Sequence, residues 1–312
     1  MNKQTFTEIS TISNSPKRRP YASKISIILP EGIEYRFDGE TSLLLEVPYI
    51  VRIEPAKETA NGKNTQKLTA IAEGFSTAGE AEQVGLKLSL AIMWSAVSRK
   101  WPLKLDYSTP QPCMIFNRTQ TGGIGMSCSA SITMGAGAGG VSSLINDVLS
   151  KNLPFNPKLL ISMELFTSAR LESTERAKFI GLVSSLEPLA TTTDYNNNDI
   201  DGLVSTFIQD LSKIDSIPEK TRKSIESRAI SLKGESIAQA IARFVGEFFD
   251  DGSGAIAIVK EAYNIRSKML HEGSFDADLD EKSDELEDGI RHIYSRMLDL
   301  PLRFPAEVPQ KV

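Results

Sequence analysis

The sequence predicts an α+β chain: a mixed N-terminal module followed by an all-α helical bundle. Three observations carry that prediction. Residues 24–120 hold several runs rich in β-branched and aromatic residues around a single long helical pattern. Residues 121–150 open with a glycine-rich zone. Residues 151–312 read as one helical pattern after another, separated by short Gly, Asn and Asp clusters.

Taken in order, residues 1–23 form a polar arm ending in "SPKRRP", with a basic triplet expected to be solvated. "KISIILP", "IEYRFDG", "TSLLLEVPYIVRIEP" and "KLTAIAEGF" read as strands. "STAGEAEQVGLKLSLAIMWSAVSRK" then turns helical. Thr77 and Glu80 have the spacing of a capping box, and Val84, Leu88, Ala91, Ile92 and Ser95 trace one face. "WPLKLDY" returns to the sheet. The module carries no catalytic constellation and reads as a recognition or sensor domain.

"TGGIGMSCSASITMGAGAGG" contains Gly135, Gly137 and Gly140 in the order G-x-G-x-x-G, followed by the helical "VSSLINDVLS". Glu164 stands about where a ribose-binding acid would be expected, so a dinucleotide-binding enzyme is one reading. That reading needs further alternating β and α units, which the rest of the chain does not supply. The other reading is a linker in which glycine provides conformational freedom.

Beyond it, "PKLLISMELFTSARLE" is helical, and Ser173 is placed to cap "TERAKFIGLVSSLEPLA". Further helices are expected near 201–214, 217–230, 234–250, 254–272 and 279–299. In "DYNNNDIDG" the alternation of Asp194, Asn196 and Asn198 imitates a calcium loop. Asp199 stands where that loop needs glycine and Ser205 where it needs glutamate, so a polar interhelix loop is expected.

Composition narrows the function. The chain has 312 residues and a formal charge of -5, from 35 Lys+Arg and 40 Asp+Glu. Residues 1–150 hold 15 basic and 13 acidic side chains, the remainder 20 and 27, so no global basic field marks the chain for nucleic acid. Cys113 and Cys128 form no disulfide framework or zinc pattern. No leader is expected in "MNKQTFTEIS", and "LSLAIMWSAV" is too short to span a bilayer, so the expectation is a cytoplasmic protein without a membrane segment.

One helix does not read as pure core. On a wheel, Ile258, Val259, Ala262, Tyr263, Ile265, Met269 and Leu270 fill a continuous apolar arc, and Arg266 falls inside it. A guanidinium there needs a partner. Glu187, within the apolar "FIGLVSSLEPLA", is the candidate. His271 lies about 140° round from Arg266 on an ideal helix. Gly273 marks a helix stop, so His271 falls in the last turn, where unpaired carbonyls favour its protonated form. His292 is expected on the polar side of a stripe formed by Leu286, Ile290, Ile293, Tyr294 and Met297.

"YNIRSKMLHEG" resembles the Arg-x4–6-His signature of HEPN domains, and "ELFTSARLESTERAKFIGLVSSLEPLA" is similar to the first helices of the Apea-like HEPN subgroup. The resemblance covers residues 155–300 and not the N-terminal module. It implies an HEPN-like bundle and a metal-independent endoribonuclease in prokaryotic anti-phage defence or a toxin–antitoxin pair. Arg266 and His271 would take the catalytic roles, with Glu187, Asn264 and Ser267 in support. Ser267 stands where the family often has Asn, Asp or His. It further implies an RNA substrate, no cofactor or metal, and a homodimer with a composite active site answering to a phage-derived trigger or an antitoxin. A non-catalytic HEPN scaffold or nucleotide-binding module is the alternative. The acidic "FDADLDEKSDELED" just after the motif would repel a polyanion and suits the start of the next helix.

Overall fold

A computed structural model describes residues 19–29, 43–46, 49–55, 67–107, 110–119, 138–151, 153–249, 253–273 and 278–302. The chain divides into two compact units, one of residues 1–182 with 294–312 and the other Val183–Ile293. The order is mixed α and β first and helical afterwards, so the fold is α+β.

In the first unit, strands β1 (Tyr21–Ile28), β2 (Leu43–Glu46), β3 (Ile50–Pro55), β4 (Lys67–Phe75), β5 (Lys104–Leu105) and β6 (Met114–Asn117) form one sheet. Its order is β2-β3-β4-β1-β5, with β6 also paired to β1. Every pairing among the described strands is antiparallel, with Ile25 opposite Ala70 and Val51 opposite Ala72. "TSLLLEVPYIVRIEP" is therefore two neighbouring strands rather than one. It contains Pro48, which has no N–H to give a ladder. β6 was not expected at all. "IEYRFDG" lies outside the described residues.

Helix α1 (Ala78–Ser98) packs on β1 and β4, and α2 (Ala138–Ser150) and α3 (Pro157–Ala169) pack on α1. The capping box is present: Thr77 Oγ1 accepts the Glu80 N–H, and Glu80 accepts the Thr77 N–H. The single buried face expected for α1 is a correction. Every residue from Leu88 to Ser98 is buried, because the sheet and two helices cover it. Close approach to the sheet requires glycine at Gly85, where an added Cβ would lie 2.7 Å from Cys113 Sγ and 2.9 Å from Ser23 Cβ.

Helix α4 (Glu175–Ser185) starts one residue later than expected. Thr174, not Ser173, is the cap, its Oγ1 accepting the Ala177 N–H. The second unit holds α5 (Asn198–Ser212), α6 (Glu219–Ser231), α7 (Ile237–Gly246) and α8 (Ser253–His271). Helix α9 spans Leu279–Leu298. α5 packs on α6 and α7 on α8. The calcium-like loop serves as a helix start: Asn197 caps α5 by accepting the Asp199 and Ile200 N–H groups. Ser236 and Gln239 form a second capping box on α7. Among the described residues, no helix is long and apolar enough to cross a membrane.

Candidate functional site

Gly135 and Gly137 lie outside the described residues, and Gly140 falls within α2. The described strands are all antiparallel, so the parallel βαβ setting a dinucleotide fingerprint requires is absent among them. Glu164 has another setting. It accepts a hydrogen bond from Tyr107 Oη at 2.9 Å. Burial pushes its pKa up and also pushes the Tyr107 hydroxyl up, to about 12.

Helix α8 is built around Val259, Ala262, Ile265 and Met269, all buried. Arg266 continues the spacing Val259–Ala262–Arg266–Met269, so a cation occupies a position of the buried stripe. Its Nη1 lies 2.8 Å from Glu187 Oε1, with side chains 20% and 33% exposed. The guanidinium carbon stands 5.5 Å from the centre of the Tyr263 ring, a cation–π contact. The Nε–H, also buried, has no acceptor among the described residues. One side of the guanidinium is thus held by charge and one by an aromatic face, and hydrogen-bonding capacity is left over. The sequence marks Tyr263 only as apolar filling of the arc, whereas its ring faces the guanidinium.

Glu187 follows Leu186 just past the end of α4 rather than within a helical face. Its N–H bonds the Ser184 carbonyl at 3.2 Å, which continues the coil tightly enough to carry the carboxylate over Arg266. Leu182, Val183 and Leu186 are buried and anchor that turn.

His271 is the last residue of α8 and is exposed. Gly273, at φ +70, stops the helix, a left-handed conformation that suits glycine. The Glu272 N–H closes the last turn on the Lys268 carbonyl at 2.8 Å. The structure brings Arg266 and Glu187 together and leaves His271 on an open helix end. Asn264 is exposed and Ser267 half-buried on the same helix. Leu270 is a correction: it is 53% exposed, so the buried arc is narrower than the wheel implied.

The acidic run after the motif has a local role. Asp278 Oδ1 accepts the Asp280 and Glu281 N–H groups at the start of α9. Lys282 ties α9 to α8 through Glu261 at 3.1 Å, and that carboxylate holds the lysine pKa up. His292 is also a correction. It is half-buried, with Nε2 3.3 Å from the Phe248 carbonyl oxygen and its ring 4.9 Å from that of Phe249. It lines a cavity of about 450 Å³ with Leu186, Val245, Ile258 and Ile290. A cavity of about 600 Å³ in the first unit is lined by Lys24, Asp106, Tyr107 and Cys113, whose thiol burial pushes up to about 11. Neither cavity includes Arg266, Glu187 or His271.

No protein-family model, no characterised protein and no solved structure matches the chain.

Proposed function

We propose that this chain is a metal-independent endoribonuclease of HEPN type whose helical region is an HEPN-like bundle. The observation that carries the reading is a cation in a core position of α8, held by Glu187, five residues before a histidine on the open end of that helix. The resemblance of "NIRSKMLHEG" to the HEPN signature gives those residues their roles.

In the proposed reaction the ribose 2′-oxygen attacks the adjacent phosphorus. Its proton passes to a base, and the 5′-oxygen leaves with a proton from an acid. The product ends are a cyclic phosphate and a free 5′-hydroxyl. A histidine suits either proton transfer near neutral pH. An arginine suits the crowded phosphate, where its planar donors can bind two oxygens. One chain offers one such histidine, and a two-fold homodimer would place a second set opposite the first. RNA is the substrate because DNA lacks the attacking hydroxyl. Work in the prokaryotic cytoplasm against phage, under a phage-derived trigger or an antitoxin, comes with the family reading.

The second reading, a non-catalytic HEPN scaffold or nucleotide-binding module, is favoured by one observation: Arg266 already has a carboxylate partner. The purified chain incubated with an RNA pool in EDTA separates the two. The nuclease reading expects fragments ending in cyclic phosphate. Intact RNA alongside a folded protein favours the scaffold.

A further inference from the structure

The cavity of about 450 Å³ lies wholly within the second unit, walled by the turns after α4 and α7 and by α8 and α9. That volume suits a small molecule. Its wall is mostly apolar. Leu186, Val245, Val259, Leu286, Ile290 and Ile293 line it and are buried, and Phe249 and Ile258 line it half-buried.

Gly289, also in the wall, shows that the space is more than loose packing. It sits inside α9, where glycine is the least favourable residue after proline. Neither usual reason for a helical glycine applies. Its φ is not positive, and an added Cβ would meet nothing within 4 Å among the described residues. The same open space surrounds Gly254, which lines the cavity from the first turn of α8. For stability alone, alanine would serve better at 289. What glycine provides there is room in the cavity.

The polar groups of the wall are acceptors. Glu285 and Asp288, one turn apart on α9, line the cavity, and among the described residues no lysine or arginine does. His292 Nε2 lies 3.3 Å from the Phe248 carbonyl oxygen, which can only accept. The ring hydrogen therefore belongs on Nε2, and in the neutral ring Nδ1 is an acceptor. Glu285 has Lys282 at 3.4 Å and Asp288 has Arg291 at 3.0 Å. One such contact does not exhaust the roughly four lone-pair sites of a carboxylate. An anionic ligand would meet two carboxylates. A ligand with N–H donors and positive charge would meet acceptors only.

We infer that this cavity binds a small apolar molecule with a protonated amine head, its apolar body against Val259, Leu286 and Ile290 and its ammonium at Glu285 and Asp288. The inference uses no assumption about RNA.

Titration calorimetry of the full chain with 1-naphthylmethylamine, 1-naphthalenemethanol and 1-naphthoate tests it. The amine is expected to bind with Kd of about 0.1–1 mM, the alcohol more weakly and the carboxylate weakest. Gly289→Ala should raise Tm by about 1–3 °C and still weaken the amine by about twofold to threefold. Gly289→Leu should weaken it by about tenfold or more. Glu285→Gln with Asp288→Asn should weaken the amine by about threefold to tenfold and leave the alcohol unchanged. No saturable binding of the amine, naphthoate binding as tightly as the amine, a Gly289→Ala chain that melts lower, or amine affinity indifferent to the glycine or the carboxylate changes would each overturn the inference. Arg266→Ala and His271→Ala should bind the amine as wild type, so failure of the nuclease reading leaves this result standing.

Discussion

Two arginine–glutamate pairs in the second unit have nearly the same length and opposite character. Arg243 lies 2.7 Å from Glu235, and Arg266 lies 2.8 Å from Glu187. Glu235 also accepts the Thr193 N–H at 3.0 Å and the Thr193 hydroxyl at 2.8 Å. Arg243 also donates to the Thr191 carbonyl at 2.8 Å and reaches Glu247 at 3.5 Å. That network is closed, and it clamps the chain at 191–193 onto α7. The Arg266 pair is open: one carboxylate, one aromatic face and an Nε–H with no acceptor among the described residues. Ion-pair distance therefore says little about role. Under the nuclease reading, the donor capacity left over at Arg266, five residues before an exposed histidine, is what would take a phosphate.

The largest effect should come from breaking each arginine in turn. Arg266→Ala and His271→Ala are each expected to lower RNA cleavage by about 100-fold or more, the scale of a lost proton-transfer or charge-stabilising group. Arg243→Ala should keep cleavage near wild type while lowering Tm. Single-turnover cleavage with thermal melts of the same samples reads both. Equal losses of cleavage from Arg243 and Arg266 would erase the distinction between the pairs.

Glu187→Gln tests the open pair from its acidic side. It keeps the shape and leaves the half-covered guanidinium without its counter-charge. Urea unfolding should show a loss of about 1–2 kcal/mol, below the range for fully buried pairs because both side chains are partly solvated. Cleavage should fall less than with Arg266→Ala, since the phosphate itself would then supply negative charge.

The closed pair has a pH signature. The hydrogen bond from Arg243, then those from Thr193, lower the Glu235 pKa from 4.5 to about 2. A carboxyl depressed on folding contributes stability that is complete above its unfolded value and is lost as pH falls through the folded one. The Tm gap between wild type and Arg243→Ala should therefore be widest above about pH 5 and narrow as pH falls toward 2. A gap that stayed constant across that window would show the clamp to be packing rather than charge.

Much of this was legible because it is local. Thr77 with Glu80, Gly273 after His271, and an arginine on an apolar stripe are read from neighbours a few residues apart. The pairing of Glu187 with Arg266 was legible too, because two charges on otherwise apolar surfaces need a partner. What was not legible depends on distant chain. The burial of α1 on all sides is set by α2 and α3. β6 has only four residues, too few for an alternation to register. His292 lies on a helix face whose polarity suggested water, and Phe248 and Phe249 half-cover it from a remote segment.

Leu270 should show the smallest effect, and it is the sharpest probe of where the core of α8 ends. Met269, one residue earlier, is 5% exposed, while Leu270 is 53% exposed and adjoins His271. An isolated, half-solvated leucine contributes little, so Leu270→Ser should change stability by no more than about 0.5 kcal/mol in urea unfolding. A larger loss that grows with protein concentration would mean that another copy covers this residue at the helix end. A loss of cleavage without loss of stability would instead place Leu270 against bound RNA, beside the histidine proposed to move the proton.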